Sequence, residues 1–185
     1  MSETSFIVPA ELFAAAESSS FSGTYEPTVF KAGPDLYTFA QPLSWQVSIT
    51  NTGGALLVIG TVEGDAVTSC ARCMEPVKLS MTGEIEGYYL LSADDEADLE
   101  DIEEDEFEVL GPDNVIDLVP LIRAAILLEC PLVPLCDEEC KGLCPACGKN
   151  LNEGDCDCVM VEEDGRDAAG PANPFAVLKD YPFQN

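Results

Sequence analysis

The architecture of this chain is decided by residues 136–158, CDEECKGLCPACGKNLNEGDCDC, a stretch that holds six of its nine cysteines. Within it, Cys144-Pro-Ala-Cys147-Gly148 has the shape of a zinc knuckle, in which two thiolates three residues apart sit on a tight turn. The glycine lets backbone N–H groups turn toward sulfur. Such a cluster indicates a metal-binding module in a reducing compartment, or a disulfide-stapled loop in a secreted protein.

The rest of the chain favours the reducing compartment. Residues 1–20 lack the basic start and the sustained apolar run of a signal peptide. The longest apolar window, 118–128, is interrupted by Pro120 and Arg123 and is too short to span a bilayer. We therefore expect a soluble cytoplasmic protein, in which thiols stay reduced and clustered cysteines hold metal.

The net charge restricts the classes of partner that we expect this chain to bind. The chain has 35 acidic and eight basic residues, for a formal net charge of −27. The basic residues are scattered along the sequence, whereas direct nucleic-acid binding needs a basic surface that displaces phosphate counterions. We therefore expect basic protein partners, with no membrane and no small-molecule substrate.

The chain has no histidine, which removes the commonest general base and every Ser-His or Cys-His nucleophile. It also lacks the GxGxxG and GxxxxGK[ST] loops that bind nucleotides. We expect no catalytic residues and no enzymatic activity.

Hydrophobic periodicity predicts an α+β fold, in which an antiparallel β-meander packs on a buried helix and a C-terminal zinc-ribbon-like module follows. Apolar residues alternate with polar ones from Leu43 to Ile49, and similar strands are expected at 55–63, 66–70 and 77–90, with a turn at 63–65. Asp117 is expected to cap a mostly apolar helix that ends near Cys130. A short helix is also expected at 11–17.

The expected organisation has five parts. They are an N-terminal segment and sheet (1–92), an acidic linker (93–110), the core helix and an extended connection (111–135), the zinc module (136–158) and a tail with a short docking helix (159–185). Residues 94–108 hold eleven acids and no cation, which is typical of a solvated linker. A docking site for basic protein is the alternative, because Leu99, Ile102 and Phe107 lie among the acids. For the tail, the docking segment is 173–178, NPFAVL, and an unstructured tail is the alternative.

The cysteines sort into four close pairs, Cys70/Cys73, Cys136/Cys140, Cys144/Cys147 and Cys156/Cys158, with Cys130 left over. A structural zinc takes four thiolates, so one or two Zn²⁺ ions are expected. Chain order favours one site from the last two pairs and a second from the first two. The alternatives are a single site at Cys136, Cys140, Cys144 and Cys147, a six-thiolate cluster with two zinc ions, or a redox pair at Cys70 and Cys73. Cys130 lies at an apolar helix end and is interpreted as a buried core thiol.

Several motifs together resemble one known family. They are Ser69-Cys-Ala-Arg-Cys-Met-Glu-Pro76, Ile116-Asp-Leu118, Leu128-Glu129, Pro131-Leu-Val-Pro134, Lys141-Gly-Leu-Cys-Pro-Ala-Cys-Gly148, Asn150-Leu-Asn152, Cys156-x-Cys158 and Asn173-Pro-Phe-Ala-Val-Leu178. In this order they resemble the cysteine-rich form of the YceD family, the bacterial large ribosomal RNA subunit accumulation proteins with plastid relatives. The long acidic insert and Cys130 depart from that pattern.

The resemblance implies a non-enzymatic role in the synthesis, processing or stability of 23S ribosomal RNA, and hence in large-subunit biogenesis. With the charge, it suggests basic ribosomal proteins or large-subunit assembly factors as partners, and indirect contact with ribosomal RNA. Two other functions remain open at this point. They are a thiol-disulfide redox protein that uses Cys70 and Cys73, and an acidic zinc-ribbon adaptor of transcription.

Overall fold

The computed structural model describes residues 4–27, 29–91 and 107–158. Most of the expected acidic linker and all of the expected tail with its docking segment therefore lie outside the described residues. The last residues of the expected linker are folded, because Glu108 and Val109 pair with the sheet and Leu110 is buried.

The described residues form nine strands, one α-helix and two short 3-10 helices. The strands are β1 (Ser5–Ile7), β2 (Ser18–Tyr25), β3 (Phe30–Ala32), β4 (Asp35–Phe39), β5 (Leu43–Asn51), β6 (Ala55–Ser69), β7 (Pro76–Leu90), β8 (Glu108–Val109) and β9 (Val115–Asp117). The α-helix α1 spans Val119–Glu129, and the 3-10 helices span Ala10–Phe13 and Leu151–Glu153. A mostly antiparallel sheet with one helix and a cysteine-rich C-terminal region confirms the predicted α+β class.

Strand β6 organises the sheet. One of its edges pairs with β7 over all 15 residues, from Ala55 opposite Leu90 to Ser69 opposite Pro76. Its other edge pairs first with β5 and then, at Ala66 and Val67, with β4. Strand β2 lies beyond β5, β3 lies beyond β4, and β8 runs parallel to the end of β7. The long β6–β7 ribbon therefore carries the chain from the sheet to Cys70.

The core lies between this sheet and α1. Strand β5 alternates as expected, with Trp45, Val47 and Ile49 facing the core and polar residues facing out. The helix packs on β7 through Ile122, Ala125 and Ile126. Its backbone approaches the strand so closely that a Cβ built on Gly83 would lie 2.7 Å from the Ala125 carbonyl oxygen.

The helix was predicted within one residue of its observed start. The helix begins at Val119, and its N-cap is Leu118 rather than Asp117. Asp117 still stabilises the first turn of the helix, because its Oδ1 accepts a hydrogen bond from the N–H of Val119 at 3.1 Å. Pro120 lies in the first turn, where a missing N–H costs nothing.

Two sequence expectations about the sheet were wrong. The predicted turn at 63–65 does not exist, because β6 continues through Gly64, where the absence of a side chain makes room for Leu43. The predicted four-strand meander is a seven-stranded sheet, since β2, β3 and β4 also pair.

The short helix expected at 11–17 was also wrong. Only Ala10–Phe13 is helical, as a 3-10 turn, and Ala16 adopts a positive φ of 67° before β2 begins at Ser18. The serines at 18–20 pair with β5. Pairing with a strand outweighs their weak local preference.

Among the described residues, none of the helices is long and apolar enough to cross a membrane.

Candidate metal centres

The first candidate centre lies where the β6–β7 ribbon ends. Its four cysteines are Cys70, Cys73, Cys136 and Cys140, whose sulfur atoms all lie within 4.8 Å of one another. Cys70 and Cys73 stand on the turn between the two strands. The turn is closed by hydrogen bonds from the N–H of Cys70 to the Glu75 oxygen at 2.8 Å and from the N–H of Met74 to the Cys70 oxygen at 3.0 Å.

Three hydrogen bonds hold residues 134–140 against this turn. The N–H of Ala71 donates to the Pro134 oxygen at 2.8 Å. The Arg72 guanidinium donates to the backbone oxygen of Glu138 at 3.2 Å and to that of Cys140 at 2.9 Å. Arg72 therefore brings the later pair of cysteines to the earlier one.

The second candidate centre is local in sequence. It comprises Cys144, Cys147, Cys156 and Cys158, again with all sulfur atoms within 4.8 Å. The N–H of Gly148, which has a φ of 73°, donates to the Cys144 oxygen at 2.8 Å and closes the predicted knuckle. The Lys149 ammonium donates a hydrogen bond to the backbone oxygen of Asp155 at 2.7 Å. This contact helps to bring the chain back to the knuckle.

The sulfur separations fit a tetrahedral metal. Sγ atoms of Cys70 and Cys140 lie 3.8 Å apart, and those of Cys73 and Cys136 lie 3.5 Å apart. A tetrahedron with metal–sulfur bonds of about 2.3 Å places its sulfur atoms about 3.8 Å apart. A disulfide would need about 2 Å, and all nine cysteines are free. Both clusters could therefore hold a metal ion.

Each cluster contains a thiol that is readily ionised. Burial alone would raise the pKa of Cys70, but hydrogen bonds from backbone N–H groups, those of Cys73 and Cys136 foremost, outweigh burial and lower it to about 6. The pKa of Cys144 is likewise lowered to about 6, chiefly by the backbone N–H groups of Cys147 and Ala146.

Another thiol in each cluster keeps its proton. Hydrogen bonds with the thiols of Cys73 and Cys140, together with burial, raise the pKa of Cys136 to about 12. A hydrogen bond with Cys147 and burial do the same for Cys158. Mutual repulsion prevents four thiolates from forming side by side without a cation, and a divalent cation would relieve it.

The two clusters differ in their exposure to solvent. Cys70, Cys73 and Cys140 are buried and pack with Val77, Leu79 and Leu135, whereas Cys136 is exposed. In the second cluster only Cys144 is buried. The first cluster thus closes the open end of the sheet, and the second lies nearer to solvent.

The observed grouping of the cysteines distinguishes between the metal-site arrangements that the sequence left open. Cys136 and Cys140 lie with Cys70 and Cys73, so neither a single site with Cys144 and Cys147 nor a joint six-thiolate cluster describes the arrangement. Cys130 lies outside both clusters. Its thiol is half-buried against the core, donates to the Ile126 oxygen at 3.3 Å and lies beside the Tyr37 hydroxyl.

Sequence reasoning missed the residues that support the ligands. In the sequence, Arg72 is one of eight scattered cations and, like Asn152, a member of a motif, and neither residue is predicted to support a ligand. The Asn152 side chain donates to the Cys140 sulfur at 3.2 Å. Their one signal in the sequence is that both stand inside the cysteine motifs.

The family assignment follows from comparison with known proteins. The family model of the large ribosomal RNA subunit accumulation protein YceD matches residues 58–180, which include both candidate centres. This chain belongs to the YceD family. The family's name refers to the accumulation of large-subunit ribosomal RNA. Plant relatives carry that name too: the chloroplastic YCED homolog 1 of Arabidopsis thaliana is 45% identical over 49 residues, 26% of this chain and 15% of the plant protein.

Bacterial relatives match a longer part of this YceD-family chain. An uncharacterized protein of Mycobacterium tuberculosis is 37% identical over 109 residues, 59% of this chain and 51% of the relative. YlbN of Bacillus subtilis, also uncharacterized, is 28% identical over 112 residues, 60% of this chain and 58% of the relative. The chain spans about half the length of the first of these curated relatives. No solved structure matches it.

Proposed function

We propose that this YceD-family chain is a non-enzymatic factor in the synthesis, processing or stability of 23S ribosomal RNA, and so in large-subunit biogenesis. The observation that carries the proposal is the family match over residues 58–180. The two four-cysteine clusters add a physical role for the cysteines, because four thiolates fill a tetrahedral metal and leave no position for a substrate.

We assign Zn²⁺ to both clusters, as structural ions. Zinc is the usual metal of four-thiolate structural sites, and the reduced thiols suit a cytoplasmic location. Elemental analysis of protein purified under reducing conditions should find two zinc ions per chain. Cys70→Ser with Cys73→Ser should remove one of them, and a chain without zinc would contradict the assignment.

The redox alternative loses support from the burial of its thiols. Cys70 is 0% exposed and Cys73 is 3% exposed, and each sulfur lies within 4 Å of a sulfur from the later pair. A dithiol that exchanges with other proteins needs an accessible attacking sulfur. No observation favours the transcription adaptor.

For the partner, we propose basic proteins of the large subunit or its assembly factors. The outward face of the β6–β7 ribbon supports this, because the register brings four exposed carboxylates together, those of Glu63, Asp65, Glu84 and Glu86. Lys78 is the one cation among the described outward-facing residues of these two strands, and it lies toward the far end. Such an acidic surface attracts basic segments of other proteins at long range, and dissolved salt screens this attraction.

The decisive experiment deletes the gene and measures the ratio of 23S to 16S ribosomal RNA. A lower ratio, restored by the wild-type gene, is expected. A ratio that stays at the wild-type value would overturn the proposed function.

The partner proposal is tested separately, by affinity capture at low and moderate salt. Basic large-subunit proteins should be enriched, and Glu84→Gln with Glu86→Gln should weaken that enrichment. Enrichment of protein-free ribosomal RNA would contradict the partner proposal.

A further inference from the structure

The two candidate metal centres are neighbours along the chain. Cys140, the last cysteine of the first cluster, and Cys144, the first of the second, are separated by residues 141–143 alone. This short connection allows the two clusters little freedom to move relative to each other. The contacts made by residues 141–143 therefore decide whether the clusters act independently.

Asn152 joins the two clusters through its side chain. Its Nδ2 donates to the Cys140 sulfur at 3.2 Å, and its Oδ1 accepts from the N–H of Lys141 at 2.8 Å. One amide thus contacts a sulfur of the first cluster and the backbone that leads away from it. Hydrogen bonds to a coordinating sulfur stabilise its thiolate form, which is the form that binds metal.

The position of Asn152 depends on the second cluster. It belongs to the 3-10 helix Leu151–Glu153, which lies between Cys147 and Cys156 in sequence. The N–H of Asn152 donates a hydrogen bond to Oδ1 of Asn150 at 3.0 Å, and the N–H of Leu151 donates to the backbone oxygen of Gly142 at 2.9 Å. A metal ion that draws Cys147 and Cys156 together would fix this loop in place.

The first cluster contacts the connection in return. The N–H of Leu143 donates to the Arg72 backbone oxygen at 3.2 Å. Gly142 has a φ of 75°, and a Cβ there would lie 3.1 Å from that same oxygen. Residues 141–143 are thus held from both sides, by Arg72 of the first cluster and by the 150–152 loop of the second.

We propose that Asn152 is a positioning residue that couples the two centres, so that metal in the second cluster raises the metal affinity of the first. The inference rests on metal binding at both clusters. Because coupling between binding sites is reciprocal, metal in the first cluster raises the affinity of the second by the same factor.

The variant that isolates the contact is Asn152→Asp in the full-length chain. Aspartate has nearly the same shape and keeps the acceptor for the Lys141 N–H, but it replaces the donor to sulfur with an oxygen. Asn114→Asp is the matched control, because it makes the same exchange and adds the same charge outside both clusters, at a φ of 53° that aspartate tolerates.

The measurement is a chelator competition followed by cadmium NMR of the protein loaded with cadmium. The two metal resonances are assigned with a variant that lacks the first cluster, Cys70→Ser with Cys73→Ser. Asn152→Asp should shift the first resonance and lower the affinity of the first site by about tenfold or more, the usual effect of losing an outer-shell partner. Asn114→Asp should change neither.

A double-mutant cycle tests the coupling itself. Removing the second cluster with Cys156→Ser and Cys158→Ser should lower the affinity of the first site, and adding Asn152→Asp to that chain should lower it little further. Unchanged first-site affinity in Asn152→Asp, an equal loss in the Asn114→Asp control, or losses that multiply in the cycle would each overturn the proposal. A wild-type chain that binds no metal would overturn the zinc assignment with it.

Discussion

The Arg72 guanidinium donates a 2.9 Å hydrogen bond to the backbone oxygen of Cys140, a residue 68 positions further along the chain. The same nitrogen reaches the Glu138 oxygen at 3.2 Å. Arg72 stands between two cysteines of the first cluster and holds the segment that supplies the other two. A cationic side chain thus supports a candidate site whose four candidate ligands are all thiols.

Replacing Arg72 should weaken the first metal site. Arg72→Ala removes both hydrogen bonds, and because Arg72 is exposed we expect a stability loss of only about 1 kcal/mol. First-site metal affinity should fall severalfold in chelator competition, and Arg72→Lys should restore part of it. Arg123→Ala removes the same charge beside Phe30, outside both clusters, and should leave the affinity unchanged. Equal losses in the two alanine variants would contradict this role.

Gly83→Ala should destabilise the contact between helix and sheet. The new methyl group would lie 2.7 Å from the carbonyl oxygen of Ala125, which belongs to the helix backbone and cannot rotate away. We expect a loss of about 1–3 kcal/mol in urea-induced unfolding. Gly87→Ala is the matched control, since its methyl group would meet the flexible end of Leu121 and should cost less. A larger loss at Gly87 would refute the explanation.

Removing metal should unfold the C-terminal module and spare the sheet. Residues 141–158 bury little apolar surface, whereas the core around Trp45 forms a separate cluster that contains no metal-site cysteine. After chelation, trypsin should cleave at Lys141 and Lys149 much faster than at Lys78, and Trp45 fluorescence should stay native. Equally fast cleavage at Lys78 would show that the sheet depends on the metal.

The buried Tyr37 should limit stability at high pH. Burial, with smaller effects from Cys130 and Asp35, raises its pKa from 10.0 to about 12. The folded state therefore holds this proton more tightly than the unfolded state does. That contribution is fully present below pH 10 and is lost as the pH rises toward 12. Tyr37→Phe should flatten the fall in the free energy of unfolding over this interval, as measured by urea-induced unfolding.

The parts of the fold that were predictable carry their signal in local spacing. Strand β5 alternates perfectly, and α1 has an apolar pattern, a proline in its first turn and a proline after its end. The knuckle at Cys144 and Cys147 is equally local. In each case the residues that decide the structure lie within a few positions of one another.

The rest depended on contacts that are distant in sequence. Gly64 looks like a turn residue, and only the closeness of Leu43 explains why the strand continues through it. The serines of β2 become a strand because β5 pairs with them. Asn152 gains its role from the Cys140 sulfur, which is twelve positions away in sequence, and no periodic pattern predicts that contact.

Strand β1 pairs with β9, so Ser5 lies opposite Asp117, and its hydroxyl donates to that carboxylate at 3.1 Å across 112 positions. During synthesis β1 can pair with β9 only after Asp117, 112 positions beyond Ser5, has been made. Phe6, which stacks on Phe21 at 4.4 Å, can dock earlier, but the backbone of β1 cannot. The long-range pairing of β1 with β9 is therefore a late step in folding. This step, rather than formation of the local β6–β7 ribbon, should govern the rate of folding.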